Sequence, residues 1–187
     1  MDEVPCDSFK NILHKYMKLL KPKIIFEYGP GLSTSIMASY PETEVYTVEH
    51  QQNYFGRALL DNADKPNVCV YFRGDKDKYV NLPSTLNLKF DLIFIDGWCT
   101  KPNSTEKSVR VDCLLEASKC LSTNGVVILH DSCRPIYSEG RELYELIEEA
   151  DGTVVMRLKS WSVCYIEIIK ERAKRLPDLT DNKSDNV

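Results

Sequence analysis

A doubly wound α/β domain with a seven-stranded, mostly parallel sheet is the fold this sequence predicts. Three observations lead to it. Short apolar runs alternate with helix-patterned segments from residue 24 to residue 129. The first run, Ile24-Ile25-Phe26-Glu27-Tyr28, passes straight into the glycine turn Gly29-Pro30-Gly31. Two further β-prone runs, 153–158 and 161–169, lie so close in sequence that only an antiparallel hairpin can join them. Alternation of strands and helices predicts a parallel sheet with helices on both faces, and the hairpin supplies its antiparallel C-terminal strand.

Taken in order, Phe9, Ile12, Leu13, Tyr16, Leu19 and Leu20 recur at helical spacing over residues 7–20, with Asp7 or Ser8 as cap. Lys21-Pro22-Lys23 ends that helix, and 24–28 is the first strand. Residues 32–39 form a helix after the glycine turn, and Pro41 breaks it. The run 45–48 is the second strand, 51–62 a helix and 68–72 the third strand. A short polar helix or loop leads to 90–95, whose nearly unbroken apolar character predicts a strand buried on both faces. Residues 99–105 are a loop and 106–121 a helix. Asn124-Gly125 introduces the strand 126–129, and a charged helix spans 138–150 with Asp151-Gly152 as its stop. One domain is expected over residues 1–170. The tail 171–187, poor in apolar residues, is expected to be disordered.

Composition narrows the function. The 187 residues suffice for one sizeable core, and 43% hydrophobic with 28% charged residues is ordinary for a globular protein. A net charge of −4 argues against general binding to nucleic acid or an anionic membrane. The basic cluster 170–175 is balanced by Asp178 and Asp181, which reads as a solvated tail. The seven cysteines (6, 69, 99, 113, 120, 133 and 164) form no C-x-x-C pair, which disfavours a structural zinc and fits a reducing compartment. With no signal-peptide pattern at the start and no long apolar run, a cytoplasmic location is expected.

In an open α/β sheet, ligands bind beyond the carboxyl ends of the strands. Here the five strand ends deliver Glu27 with the glycine turn, Glu49-His50, Gly74-Asp75, Asp96-Gly97-Trp98 and His130-Asp131. Any one of these acids alone reads as a loop or cap residue; five in a row define a site. Glu49, 20 residues after Gly29, has the spacing of an acid that hydrogen-bonds a ribose. A pyrophosphate would be repelled by Glu27 and Asp96, and Thr34 stands where a dinucleotide fingerprint has its third glycine. A cationic adenosine ligand without phosphate suits such a row.

These residues resemble the class I S-adenosylmethionine-dependent methyltransferases over roughly residues 7–170. Glu27-Tyr28-Gly29-Pro30-Gly31 is similar to that family's first motif, Val48-Glu49 to its ribose acid, Gly74-Asp75 to its adenine acid, and the run 90–97 to its fourth motif. Residues "FIDG" and later "GVVILHD" most resemble a small, minimally decorated branch. The resemblance implies a Rossmann-like fold closed by an antiparallel strand. It also implies a methyltransferase acting on O or N of a small-molecule acceptor, with S-adenosylmethionine bound by Glu27, Gly29, Gly31, Ser33, Thr34, Glu49, His50, Asp75, Asp96, Gly97 and Trp98.

Methyl transfer to a hydroxyl or amine needs a base, and Asp96, His130 and Asp131 are the catalytic candidates; imidazoles titrate close to neutral pH. A hydrogen-bonded structural histidine is the competing reading of His130. Asp96 and Asp131 also suit Mg²⁺, as in catechol-type O-methyltransferases, but Ser132 replaces the asparagine that group carries, so chemistry without a metal is favoured. Trp98 and the 99–105 loop are placed to line the acceptor pocket, and Arg110 reads as a solvated helix arginine. Two rivals stand beside this reading: a nicotinamide-dinucleotide oxidoreductase, and a non-catalytic domain that binds the cofactor or a partner. An aminopropyltransferase using decarboxylated cofactor is more remote. A homodimer that completes the pocket is compatible with so small a protomer.

Overall fold

The computed structural model describes residues 9–98, 108–132, 135–150 and 152–160. Seven strands form one sheet in the order β3-β2-β1-β4-β5-β7-β6. The strands β1 (Ile24–Tyr28), β2 (Glu44–Glu49), β3 (Val68–Phe72), β4 (Phe90–Ile95) and β5 (Leu121–Leu129) pair in parallel. β7 (Thr153–Leu158) inserts between β5 and β6 (Tyr144–Ala150), antiparallel to both. The predicted seven-stranded, mostly parallel sheet with an antiparallel C-terminal strand is therefore present, although other residues than predicted form its hairpin.

Strand alternation splits the core into two layers. Ile25, Leu92, Phe94, Val126, Ile128 and Val155 face α1 (Phe9–Leu20) and α2 (Leu32–Ala38). Phe26, Tyr28, Ile93, Ile95, Val127 and Leu129 face the opposite layer. That layer holds α4 (Lys76–Val80), α5 (Leu82–Thr85), α6 (Val109–Cys120) and α7 (Ser138–Arg141). Successive residues of β4 thus enter different cores, which is why its sequence is apolar at nearly every position. On α1 the buried face is Phe9, Ile12, Leu13, Tyr16 and Met17. Leu19, expected in that face, is 67% exposed, and Met17 takes the place instead. α3 (Gln52–Asp61) follows β2.

Three elements differ from the sequence expectation. The helix expected over 138–150 is only α7, and residues 144–150 are β6. Gly152, with φ of +71°, is the left-handed residue of a hairpin turn joining β6 to β7, not a helix stop. The hairpin is therefore 144–150 with 153–158, one strand earlier than expected; the expected strand 161–169 and the tail 171–187 lie outside the described residues. β5 also begins at Leu121 rather than 126, running through Asn124-Gly125 with a register shift opposite β4. Close packing explains the glycine there, since a Cβ at Gly125 would lie 2.9 Å from the Phe90 carbonyl oxygen. Among the described residues, Cys69, Cys113 and Cys120 form no disulfide. No helix among the described residues is long and apolar enough to cross a membrane.

Candidate active site

The sheet ladder continues past the strand ends and sets the site residues side by side. Gly29 N–H donates to the Val48 carbonyl at 3.0 Å, Asp96 and Gly97 N–H both donate to the Tyr28 carbonyl at 3.0 and 2.6 Å, and His130 N–H donates to the Ile95 carbonyl at 3.1 Å. The ends of β2, β1, β4 and β5 are thereby stitched into one rim. Gly29 and Gly97 meet across it. A Cβ on Gly29, whose φ is +90°, would stand 2.6 Å from Gly97 N, and a Cβ on Gly97 would stand 2.9 Å from the Gly29 Cα. Both positions require glycine, one for conformation and both for the close approach.

Glu27 does not face the rim. It precedes Tyr28 in β1 and so points to the α2 side, where it is fully buried. Ser33 Oγ donates to it at 2.5 Å and Thr34 Oγ1 at 2.6 Å, while the Thr34 hydroxyl also accepts from Gly31 N at 2.9 Å. Ser33 and Thr34 are themselves buried, so this trio fastens the glycine turn to the first turn of α2. Burial pushes the Glu27 carboxyl up to about 7; the hydrogen bonds from Ser33 and Thr34 oppose the rise, and the charge of Asp96 adds to it.

At the end of β2, Glu49 is buried and accepts from the amides of His50 and Gln51, each at 2.7 Å. Burial tends to raise its carboxyl, but the His50 ring, 2.9 Å away at Nδ1, and the two amides outweigh it and hold the group below its usual range. The His50 ring stacks on the Trp98 indole with centroids 4.1 Å apart and planes 18° from parallel. Trp98 holds a left-handed backbone, φ +49°, rare for a bulky residue. Tyr79, from α4, closes this group edge-on, 5.1 Å from Trp98 and 5.6 Å from His50. Its hydroxyl is buried with no hydrogen-bond partner among the described residues. Asp75 is exposed and caps α4 by accepting from Lys78 N at 2.9 Å.

At the ends of β4 and β5, Asp96, His130 and Asp131 bring ligand atoms within 4.8 Å of one another. His130 Nδ1 lies 2.9 Å from the Thr153 hydroxyl, its ring packs edge-on against Phe9, and Nε2 stands 3.8 Å from Asp131. Burial raises the Asp96 carboxyl, with Arg110 and His130 pulling it back. Arg110 is not solvated as expected. It is 1% exposed, and from α6 its guanidinium donates to the carbonyls of Gly97, His130 and Asp96 and to the Asp96 carboxylate at 3.1 Å. The sequence held one signal for this: Val109, Val111, Cys113 and Leu114 around it make α6 apolar on nearly every side, the mark of a buried helix. Tyr79 and Thr153 were missed, and nothing in their local sequence distinguishes them. Beside the glycine turn, a cavity of about 370 Å³ is lined by Pro30, Gly31, Leu32, Tyr54, Arg57 and Asn62; it meets the rim only at the turn.

Comparison by sequence matched neither a protein-family model nor a curated protein. Comparison by structure did find chains of similar fold. A methyltransferase-like protein from Silicibacter pomeroyi aligns with a TM-score of 0.63 at 15% identity, over 89% of this chain and 93% of that one. The O-methyltransferase TomG from Streptomyces achromogenes, solved in complex with SAM, aligns at 0.58 and 17% identity, over 79% and 78%. A ribosomal protein L11 methylase from Lactobacillus delbrueckii subsp. bulgaricus aligns at 0.55 and 13%, over 80% and 78%. The chain has the fold of the class I S-adenosylmethionine-dependent methyltransferases. At these identities the likeness speaks for the fold and leaves the acceptor undefined.

Proposed function

We propose that the chain is an S-adenosylmethionine-dependent methyltransferase that methylates O or N of a small-molecule acceptor. The observation that carries this reading is the rim itself. The Gly29–Gly97 contact, the amide-bound Glu49 and the acids at the ends of β4 and β5 lie in sequence along one edge of a sheet with an antiparallel β7. The residues fit such a cofactor in two further respects. A buried hydroxyl on Tyr79 lacks a partner among the described residues beside the His50–Trp98 pair, as a polar ligand would require. No lysine or arginine lies in the glycine turn, which suits a cation better than a pyrophosphate.

Gly29, Gly31, Gly97, Glu49, His50, Asp75, Asp96 and Trp98 would shape the cofactor site, with Glu27, Ser33 and Thr34 bracing its turn from beneath. When bound, S-adenosylmethionine supplies an electrophilic methyl group. His130 is the residue best placed to take the proton released by the acceptor: Thr153 holds Nδ1, leaving Nε2 beside Asp131, whose carboxylate would stabilise the imidazolium. Positioning and exclusion of water do the remaining work.

Calorimetry with S-adenosylhomocysteine tests the reading. Wild type should bind, and Glu49→Ala should bind about 10–100-fold more weakly, from the loss of charge-assisted hydrogen bonds worth roughly 1.5–3 kcal/mol. Unchanged affinity would remove Glu49 from the site, and binding of NAD(P)H in place of S-adenosylhomocysteine would overturn the cofactor.

A further inference from the structure

The acid cluster at the ends of β4 and β5 already contains a cation. Asp96, His130 and Asp131 have the composition and the spacing to hold a metal ion, yet the Arg110 guanidinium stands among them. Nη2 lies 3.1 Å from Asp96 Oδ1 and Nη1 lies 3.8 Å from Asp131 Oδ2. The same group cannot swing aside cheaply, because Nε donates to the Gly97 carbonyl at 3.0 Å and Nη1 to the His130 carbonyl at 2.8 Å, with Asp96 O as a further acceptor. Ser132, next along the chain from Asp131, is buried and turns its hydroxyl to the Gly152 carbonyl at 3.0 Å, away from the cluster.

A divalent ion between Asp96 and Asp131 would have to displace this guanidinium or tolerate its charge at contact distance. Mg²⁺ and Ca²⁺ also demand six or more oxygen ligands, and here one carboxylate oxygen is engaged by a nitrogen donor while the next hydroxyl faces elsewhere. We infer that Arg110 is the resident cation of this site, so that the chain works without a divalent metal and takes an acceptor with a single nucleophilic atom rather than a metal-chelating pair of oxygens. The cation half of this inference stands on the geometry alone; the acceptor half rests on the methyltransferase reading above.

Arg110 is a positioning residue here, and its role is read by metal binding rather than by activity alone. EDTA-treated wild type should bind no stoichiometric Mn²⁺ by electron paramagnetic resonance, and Arg110→Lys, which keeps a positive charge, should bind none either. Arg110→Met should gain one Mn²⁺, and adding Asp96→Asn should remove it. Stoichiometric Mn²⁺ on wild type that Asp96→Asn abolishes would overturn the inference, as would a folded Arg110→Met that takes up none. If Arg110→Met does not fold, the wild-type titration decides: no Mn²⁺ supports the inference, and Asp96-dependent binding overturns it. Methyl transfer by wild type, measured with labelled S-adenosylmethionine, should be insensitive to EDTA, and about tenfold stimulation by Mg²⁺ would count against the proposal. Failure to bind S-adenosylhomocysteine would sink the cofactor reading while leaving the Mn²⁺ result standing.

Discussion

Glu27 shows how a residue can belong to a motif and yet serve it from behind. Its carboxyl is buried under the glycine turn, held by the Ser33 and Thr34 hydroxyls, and pushed by burial from 4.5 up to about 7. The sequence displays the acid plainly but not its direction, because strand parity decides whether position 27 meets the rim or α2. This burial makes stability depend on pH. The unfolded chain releases the proton near 4.5, whereas the folded chain keeps it until about 7. Between those values the folded state binds more protons, so stability falls as pH rises through the window, and the deficit persists above it. A shift of this size corresponds to roughly 2–4 kcal/mol. Glu27→Gln removes the ionisation, so its thermal midpoint should gain on that of wild type from about pH 4.5 to about pH 7. Parallel curves over that range would refute the assignment.

The elements at the rim depend on contacts that leave no room for adjustment. Gly97→Ala places a methyl group 2.9 Å from both the Gly29 Cα and N, forcing the end of β4 away from the turn. We expect about 1–3 kcal/mol of destabilisation in a denaturant titration, with loss of S-adenosylhomocysteine binding at the same time. Trp98 stacks on the His50 ring beside the Tyr79 hydroxyl and forms one wall of the proposed cofactor site. Trp98→Ala removes that wall and a stack worth about 0.5–1.5 kcal/mol, so S-adenosylhomocysteine should bind about 3–10-fold more weakly by calorimetry. Unchanged or tighter binding would take Trp98 out of the site. Much of this rim was legible in the sequence, since the glycines and acids stand directly after the apolar runs that mark the strands. Arg110 was legible only in part, because the apolar residues around it mark a buried stretch of α6 but do not say which carbonyls and carboxylates its guanidinium meets.

At the scale of the whole molecule, the parallel part of the sheet was predictable from the alternation of strands and helices, and an antiparallel strand was rightly expected over 153–158. The position of the hairpin was not. Residues 144–150, YELIEEA, alternate poorly, and three glutamates beside Leu146 and Ile147 satisfy a helical pattern as well as an edge strand's. Tertiary contacts decide the matter: Tyr144 is buried and donates to the Leu114 carbonyl of α6 at 2.6 Å, and Glu148 accepts from Lys15 and Tyr16 of α1 at 2.6 and 3.1 Å. β6 is therefore clasped by helices from both layers, one at its start and one near its end. Tyr144→Phe should cost about 0.5–1.5 kcal/mol in a denaturant titration, since it strips one buried hydrogen bond without opening a cavity. Amide hydrogen exchange reads the strand itself. Among the described residues β6 pairs only with β7, so it should protect alternate amides, those turned toward β7, while β1 and β4 inside the sheet protect continuously. Unbroken protection from 145 to 150 would instead mark a helix, and would return Gly152 to the role of a helix stop and leave β7 to pair with a later segment.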